Sequence, residues 1–331
     1  MLSPRSCRLI LLAALLPVAC SHDSGKNPPD PDKASPPSPD YGPPVTLTCK
    51  SDHSDCRDFV ISRLLLPSNT KDADRWALHF GGKSYNQLGN ILSALASIGP
   101  STTIQSAIDG MLYQGATIVL ARVRAQDFVN DAATQGQTFV GAKTGCCPSA
   151  GGDAAKCKGE ALQGCFAGTP PHAFAVDDSA VQSSLLTGAL SGGNLALTCP
   201  QMNINLPLTS AGVMQLDLKT AQLRGLLGTD TISDGALAGT LSRADVQQKL
   251  IPNVAQMLDS MLQDPATTSD LKDFLSTLFD RDKDGHITAD EVAQSSIKTL
   301  LDGDVDTDGD GEMELSLGIG YEAVRAVIQG K

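Results

Sequence analysis

The densest group of potential ligand residues is the segment DRDKDGHITADE at 280–291. It carries five acidic side chains, and Asp280, Asp282 and Asp284 occupy alternating positions before Gly285. Carboxylates this close repel one another unless a cation neutralises them. Ca²⁺ takes six to eight oxygen ligands at about 2.3–2.6 Å, and alternating side chains converge on one ion only where glycine lets the chain turn sharply. The spacing therefore predicts a calcium site.

The same twelve residues resemble the calcium loop of the EF-hand family. That loop has acidic residues at positions 1, 3 and 5, glycine at 6, an apolar residue at 8 and glutamate at 12. The resemblance implies a ligand set of Asp280, Asp282, Asp284, the backbone carbonyl of His286, the hydroxyl of Thr288 or a water it holds, and both carboxylate oxygens of Glu291. It also implies flanking helices, which the residue pattern predicts over 269–279 and 291–301.

A second acidic run, DVDTDGDGEMEL at 304–315, resembles the family less closely. The register that fits best starts at Asp306, so the twelfth position is Leu317, which cannot ligate, and Glu314 at position 9 compensates only in part. We expect either weak calcium binding or an empty structural partner loop. The segment 315–328 is predicted to be the last helix of a small all-α EF-hand module spanning 264–331. The weaker ligand set implied by the resemblance is Asp306, Asp308, Asp310 and Glu312.

Charge is concentrated at these two runs. The whole chain of 331 residues has a formal net charge of −12, and residues 280–314 contain twelve acidic but only three basic side chains. The acidity therefore belongs to a site more than to the surface at large. A chain this acidic is a poor partner for nucleic acid, so we expect none.

The N-terminus has the pattern of an export signal. Arg5 and Arg8 precede an apolar stretch, which predicts a signal peptide over 1–19. The stretch before Cys20 resembles a bacterial lipoprotein signal, although Pro17 stands where such signals usually carry leucine. The resemblance implies lipidation of Cys20 and an outer-membrane or cell-surface location; ordinary cleavage giving a soluble periplasmic or secreted protein is the alternative.

The residues after the signal suggest a spacer. The segment 20–44 is rich in proline, aspartate and serine and has almost nothing to bury. It predicts a disordered, extended tether that would hold a folded body away from a membrane surface.

Cysteine usage fits an oxidising compartment. Cys49 and Cys56 are spaced for a local disulfide, and Cys199 is left over. The remaining four could form two more disulfides or, less simply, a zinc site; their spacing lacks the paired two-residue gaps that zinc sites favour. These four are Cys146, Cys147, Cys157 and Cys165.

The body over 45–263 is predicted to be β-rich, with short helices near 88–95 and 104–111. Short apolar runs separated by glycine, asparagine, serine and threonine favour a sandwich or an incomplete barrel. From Ser242 the apolar period becomes helical, and Pro252 is expected to kink or split that helix. The predicted fold class is thus α+β, a β-rich sandwich-like body followed by the all-α module.

No catalytic motif stands out in the body. It has neither Gly-x-Ser-x-Gly nor His-Glu-x-x-His, and the Gly-Lys-Ser at 82–84 lacks the first glycine of a phosphate loop, because Ala77 stands there. His53, His79 and His172 are scattered, and nothing selects Asp177 or Asp178 as catalytic carboxylates.

We therefore expect a calcium-binding, exported cell-envelope protein in which calcium acts as a structural clamp, while the body binds a protein or glycan partner or scaffolds the envelope. A secreted hydrolase with a dispersed active site is one alternative. A carbohydrate-binding module without catalysis is another, although one Trp and four Tyr supply few aromatic rings for it.

Overall fold

The computed structural model describes most of the chain from Leu47 onward. The described residues are 47–98, 102–142, 166, 171–177, 183–209, 212–265 and 267–329. The predicted signal peptide, Cys20, the tether and the four clustered cysteines at 146–165 lie outside them.

Eleven strands occur in the described ranges, and most belong to one sheet. They are β1 Cys56–Leu65, β2 Leu78–Phe80, β3 Lys83–Tyr85, β4 Ile118–Arg124, β5 Asp131–Gly141, β6 His172–Ala175, β7 Leu186–Ser191, β8 Asn194–Thr209, β9 Gly212–Leu227, β10 Thr231–Leu241 and β11 Leu315–Gln329.

The helices are short and lie between strands. They are α1 Thr70–Arg75, α2 Gln87–Ile98, α3 Thr102–Tyr113, α4 Arg243–Asp245, α5 Ile251–Gln263, α6 Ser269–Leu278 and α7 Ala289–Gln294, with a π-helical turn at Val246–Leu250 and a 3₁₀ turn at Lys298–Leu300. None of these helices is long and apolar enough to cross a membrane.

The main sheet closes on itself. Its strand order is β1-β4-β5-β7-β8-β9-β10-β11, each neighbouring pair is antiparallel, and β11 pairs with β1 to complete an eight-stranded barrel. Strand β6 adds in parallel to the end of β11, and β2 and β3 form a separate hairpin. The sandwich-like body predicted from the sequence is therefore wrong, because the eight main strands of the described residues close into one barrel and do not divide into two packed sheets.

The C-terminal segment is a strand and not the predicted last helix. Residues 315–329 form β11, which pairs with β10 along one edge and with β1 along the other. Because β11 is an integral barrel strand, the acidic loops are built into the β-rich unit. The prediction of a distinct all-α EF-hand module over 264–331 is wrong for the same reason.

Two glycines let β11 lie close to its neighbours. A Cβ on Gly318 would lie 2.2 Å from the backbone oxygen of Trp76, and one on Gly320 would lie 2.4 Å from the indole ring. Asn86 adds a polar tie here, since its side chain bonds both the N–H and the carbonyl of Gly318 at 2.7 and 3.0 Å. Trp76 therefore packs against the strand backbone where any larger residue would clash.

Side chains fill the barrel interior. A cavity of only about 20 Å³ lies among Ile61, Val119, Leu223 and Leu237, which come from strands on different sides of the barrel. That is room for roughly one water molecule. The interior is thus a packed core and offers no binding chamber at this point.

A buried ion pair lies where β11 pairs with β1 to close the barrel. Arg122 on β4 is 1% exposed, and its Nε and Nη2 donate to the two carboxylate oxygens of Asp58 on β1 at 2.7 and 2.9 Å. Asp58 also accepts from the N–H of Ile328 on β11 at 3.2 Å. Removing one partner would strand a buried charge, at a cost of about 3–5 kcal/mol.

The helix predicted from Ser242 is confirmed, together with its interruption. Ser242 caps α4 by accepting the N–H of Asp245 at 3.1 Å. The π-helical turn follows, and Pro252 then lies in the first turn of α5. The backbone is helical on both sides of this junction, and the N–H of Ile251 reaches back five residues to the carbonyl of Val246. The wider π turn therefore lies directly before Pro252, which has no N–H to donate. Helices α4, α5 and α6 lead the chain from β10 to the first acidic loop.

Candidate metal centre

The first loop, residues 280–291, joins α6 to α7. Helix α6 ends at Leu278, close to the predicted end, whereas α7 is shorter than the helix predicted over 291–301. Thr288 caps α7: its hydroxyl accepts the N–H of Glu291, while the Glu291 carboxylate accepts the N–H of Thr288 at 2.9 Å. This reciprocal capping box fixes where the loop stops and the helix starts.

Three carboxylates converge in this loop. Asp280, Asp282 and Asp284 each place one oxygen so that all three lie within 4.8 Å of one another, a group that could hold a metal ion. Asp280 is only 2% exposed. Its Oδ2 accepts from the N–H of Gly285 at 3.2 Å and from the hydroxyl of Ser276 at 3.1 Å. Its Oδ1 is buried and has no hydrogen-bond partner among the described residues.

Backbone N–H groups hold the loop in shape. Asp282 accepts the N–H of Asp284 at 3.2 Å, and Asp284 accepts the N–H of His286 at 2.8 Å. Gly285 has φ +87° and Lys283 has φ +62°, so two residues in the left-handed region make the turn. The glycine predicted to permit the reversal does so.

Glu291 lies outside the group of three. Its Oε1 accepts the N–H of Arg281 at 2.7 Å, and its Oε2 accepts the N–H and the hydroxyl of Thr288 at 2.9 and 2.8 Å. These donors hold the pKa of Glu291 below its usual value, and the Thr288 N–H contributes most to this shift. Glu291 and Thr288 thus close the loop by hydrogen bonding to each other.

Helix α5 clamps the first loop from the side. Asp259 Oδ1 accepts the N–H of Ile287 at 3.0 Å and lies 3.2 Å from Nδ1 of His286, so the His286 ring points toward α5. Gln263 donates to the carbonyl of Gly285 at 2.6 Å. Sequence reasoning missed both α5 residues, because they lie more than 20 positions before their partners and belong to no motif.

The second loop, residues 306–317, follows the 3₁₀ turn and runs into β11. Asp306, Asp308 and Asp310 again bring one oxygen each within 4.8 Å of the others, a second group that could hold a metal ion. Its backbone repeats that of the first loop. Asp306 accepts the N–H of Gly311 at 3.0 Å, and Gly311 has φ +87°. Asp308 accepts the N–H of Asp310 at 3.2 Å.

The two glutamates of the second loop lie in different surroundings. Glu312 is exposed, and its N–H donates to Asp310 at 2.7 Å. Glu314 is 4% exposed. Its Oε2 accepts from the hydroxyls of Thr240, at 2.9 Å, and Thr307, and its Oε1 lies 3.1 Å from the ammonium of Lys219. Leu317, at the twelfth position, is buried in β11.

Cysteine chemistry is separate from these loops. The disulfide predicted between Cys49 and Cys56 is present. Their sulfurs are joined to each other and are therefore not thiolate ligands, although Asp55 lies beside them. Cys199 is a free, buried thiol, and burial raises its pKa to about 12, so it stays protonated and unreactive at neutral pH.

The scattered histidines lie on different elements. His53 is exposed in the turn before β1. His79 on β2 lies 3.2 Å from the Arg224 guanidinium, and burial followed by that positive charge lowers its pKa. His172 on β6 packs edge-on against Phe166. The described structure does not bring these three rings together into one site.

Comparisons with known proteins give no match for this chain. No family model matches it, and no match is found among the curated proteins or the solved structures. The resemblance to the EF-hand family is thus neither supported nor contradicted by them.

Proposed function

We propose that this protein binds Ca²⁺ at the first loop and that the ion acts as a structural clamp. The observation that carries the proposal is the carboxylate of Asp280. Its buried Oδ1 has no hydrogen-bond partner among the described residues, and one oxygen of this carboxylate lies within 4.8 Å of oxygens of Asp282 and Asp284. A buried polar atom without a partner costs about 1–3 kcal/mol. A cation bound between the three aspartates removes both that cost and their mutual repulsion.

The donor set favours calcium over other divalent ions. Asp280, Asp282 and Asp284 offer only oxygen, and the EF-hand resemblance would add the His286 carbonyl and the Thr288 hydroxyl, which is hydrogen-bonded to Glu291 in this structure. Hard oxygen ligands suit Ca²⁺ and Mg²⁺, whereas Zn²⁺ and Cu²⁺ favour imidazole and thiolate. An irregular loop of several oxygens accommodates the larger ion more readily, because Mg²⁺ demands near-octahedral geometry.

A calcium ion in the first loop would tie helices α6 and α7 to the barrel through α5. The loop connects α6 and α7, and Asp259 and Gln263 attach it to α5, which packs against β8. An ion that binds only the folded protein stabilises it by mass action. Extracellular modules bind Ca²⁺ at about 10⁻⁴–10⁻³ M, so in such surroundings the site would stay largely occupied.

The second loop would bind the same ion more weakly. It has the same three-aspartate group but ends in Leu317, where the first loop has Glu291. Its acidic residue at the ninth position, Glu314, is already held by Thr240, Thr307 and Lys219. Fewer free oxygens and one more competing cation both reduce affinity.

The proposal also includes export and a lipid anchor at Cys20. These two parts rest only on the sequence of the N-terminal segment. The proposed site of action is the cell envelope, where the barrel would bind a partner or serve as a scaffold. Incorporation of labelled palmitate into the expressed protein, and its loss in Cys20→Ala, tests the anchor. An unlabelled chain would rule it out.

Calorimetric titration of the full chain with CaCl₂ tests the calcium site. We expect binding at the first loop, and Asp280→Asn should weaken it on the order of 100-fold, because it removes the buried charge that the ion neutralises. Asp273→Asn is the matched control, since it removes an exposed carboxylate of α6. If the unaltered chain and Asp280→Asn bound calcium equally tightly, this loop would be ruled out as the site.

A further inference from the structure

A lysine of the barrel wall lies against the second loop. Lys219 on β9 places its Nζ 3.1 Å from Oε1 of Glu314 and 3.7 Å from Oδ2 of Asp308. Its side chain is 45% exposed, whereas that of Glu314 is only 6% exposed. The ammonium thus bridges a buried carboxylate and one aspartate of the three-carboxylate group.

The backbone of β9 is built to place this lysine. Two residues lie between Lys219 and Gln222, while only Gly239 lies between their partners on β10, so β9 carries a bulge at this point. Thr220 within the bulge has φ +47°, a conformation that β-branched residues rarely adopt. Its hydroxyl donates to the hydroxyl of Thr307 in the second loop at 3.1 Å. Bulges re-aim side chains, and this one turns β9 toward the loop.

We propose that Lys219 is an internal counter-cation of the second loop, which lowers the affinity of that loop for a divalent ion and has to leave Asp308 when the ion enters. The inference rests on the proposed function, in that both loops take the same kind of ion. A unit positive charge about 4 Å from a ligand carboxylate already supplies part of the neutralisation and repels a second cation. The ion-free loop is thereby kept folded against the barrel.

The first loop is arranged differently. Its own lysine, Lys283, donates to the carbonyl of Ser276 at 3.0 Å. Asp280 Oδ1 there is buried with neither a hydrogen bond nor an ion pair among the described residues, whereas Glu314 Oε1 in the second loop, which also lacks a hydrogen bond, lies 3.1 Å from the Lys219 ammonium. The two loops therefore differ in what already occupies their carboxylates, in addition to the glutamate that only the first loop has at its twelfth position.

Calcium titration in a background with the first loop disabled isolates this effect. The full chain carrying Asp280→Asn and Glu291→Gln is compared with the same chain carrying Lys219→Met in addition. We expect Lys219→Met to tighten binding at the second loop by about tenfold, because the repulsion disappears while the aspartates stay. Further addition of Asp306→Asn should remove this binding.

Two controls separate charge from packing. Lys219→Arg keeps the charge and should leave the affinity within about twofold of the background. Lys249→Met removes another half-buried lysine paired with two acids, Asp217 and Asp245, each at 2.7 Å, and should also stay within about twofold. Thermal melting of each variant confirms that it folds.

The outcomes separate this inference from the proposed function. Equal or weaker binding in Lys219→Met overturns the role of Lys219 alone, and so does a gain of the same size in Lys249→Met. A second loop that is silent with and without Lys219 overturns it too, because removing the competitor then frees no site. An unaltered chain that binds no calcium overturns the proposed function as well.

Discussion

The first and second acidic loops share one backbone design and differ in how they are anchored. In both, the N–H of the sixth residue donates to the first aspartate, and that sixth residue is a glycine with φ +87°. The first loop runs into a helix and is held by α5, whereas the second runs into β11 and is held by the barrel wall through Glu314. A short acidic motif thus specifies local geometry, while its surroundings decide what its carboxylates are free to bind.

The largest expected difference between the loops is in how much their eighth residues contribute to the free energy of unfolding. Ile287 is 4% exposed and belongs to the core, while Met313 is 47% exposed. Ile287→Ala should therefore cost about 2–5 kcal/mol of unfolding free energy, through lost burial and the cavity it leaves. Met313→Ala should change it by less than about 0.5 kcal/mol. Urea unfolding of both variants without calcium measures this, and equal losses would contradict the asymmetry.

The stabilisation that calcium gives should depend on the first loop. At a free concentration 100 times the dissociation constant, one site adds about 2.7 kcal/mol. Scanning calorimetry with calcium and with a chelator should show a higher melting temperature with the ion. Asp280→Asn should remove most of that increase, because it takes away one of the three converging carboxylates, whereas Asp306→Asn should leave most of it. The reverse order would make the second loop the principal site.

A smaller effect on calcium binding is expected from removing the contacts between α5 and the first loop. Asp259→Ala should weaken calcium binding at the first loop by about tenfold, because it releases the N–H of Ile287 and the ring of His286 that position the loop. Binding at the second loop should not change. Gln256→Ala, an exposed position on the same helix, is the control, and calcium titration is the measurement. An equal loss in the control would show that α5 acts only through its general stability.

The carboxylate groups could be predicted because their members are neighbours in sequence. Alternating aspartates before a glycine specify where three oxygens converge, whatever element follows. Asp259 and Lys219 could not be found in this way. Each reaches its loop only through the tertiary structure, from another helix or strand, and no local pattern marks it. The disulfide between Cys49 and Cys56 was again a local prediction, and it is confirmed.

The error at β11 has an identifiable cause. Leu317, Tyr321, Val324 and Ile328 recur at helical spacing, and the EF-hand resemblance implied a helix after the loop. The stretch from Leu315 to Ala323 also alternates with period two, and Gly318 and Gly320 disfavour a helix by about 1 kcal/mol each. The strand prevails because closing the barrel buries both faces of this stretch. Closure of a sheet depends on pairing between distant segments, which no window of sequence reveals.

The pairing of β1 with β11 has a consequence for how the molecule assembles. Phe59 lies opposite Arg325, so this ladder joins residues separated by more than 250 positions. Bringing such remote segments together costs loop-closure entropy before any contact repays it, and topologies of this kind fold slowly. The edge of β1 stays unpaired until β11 reaches it. Asp306, Asp308 and Asp310 lie shortly before β11 in the chain, so an ion that orders them would shorten the search that ends in barrel closure.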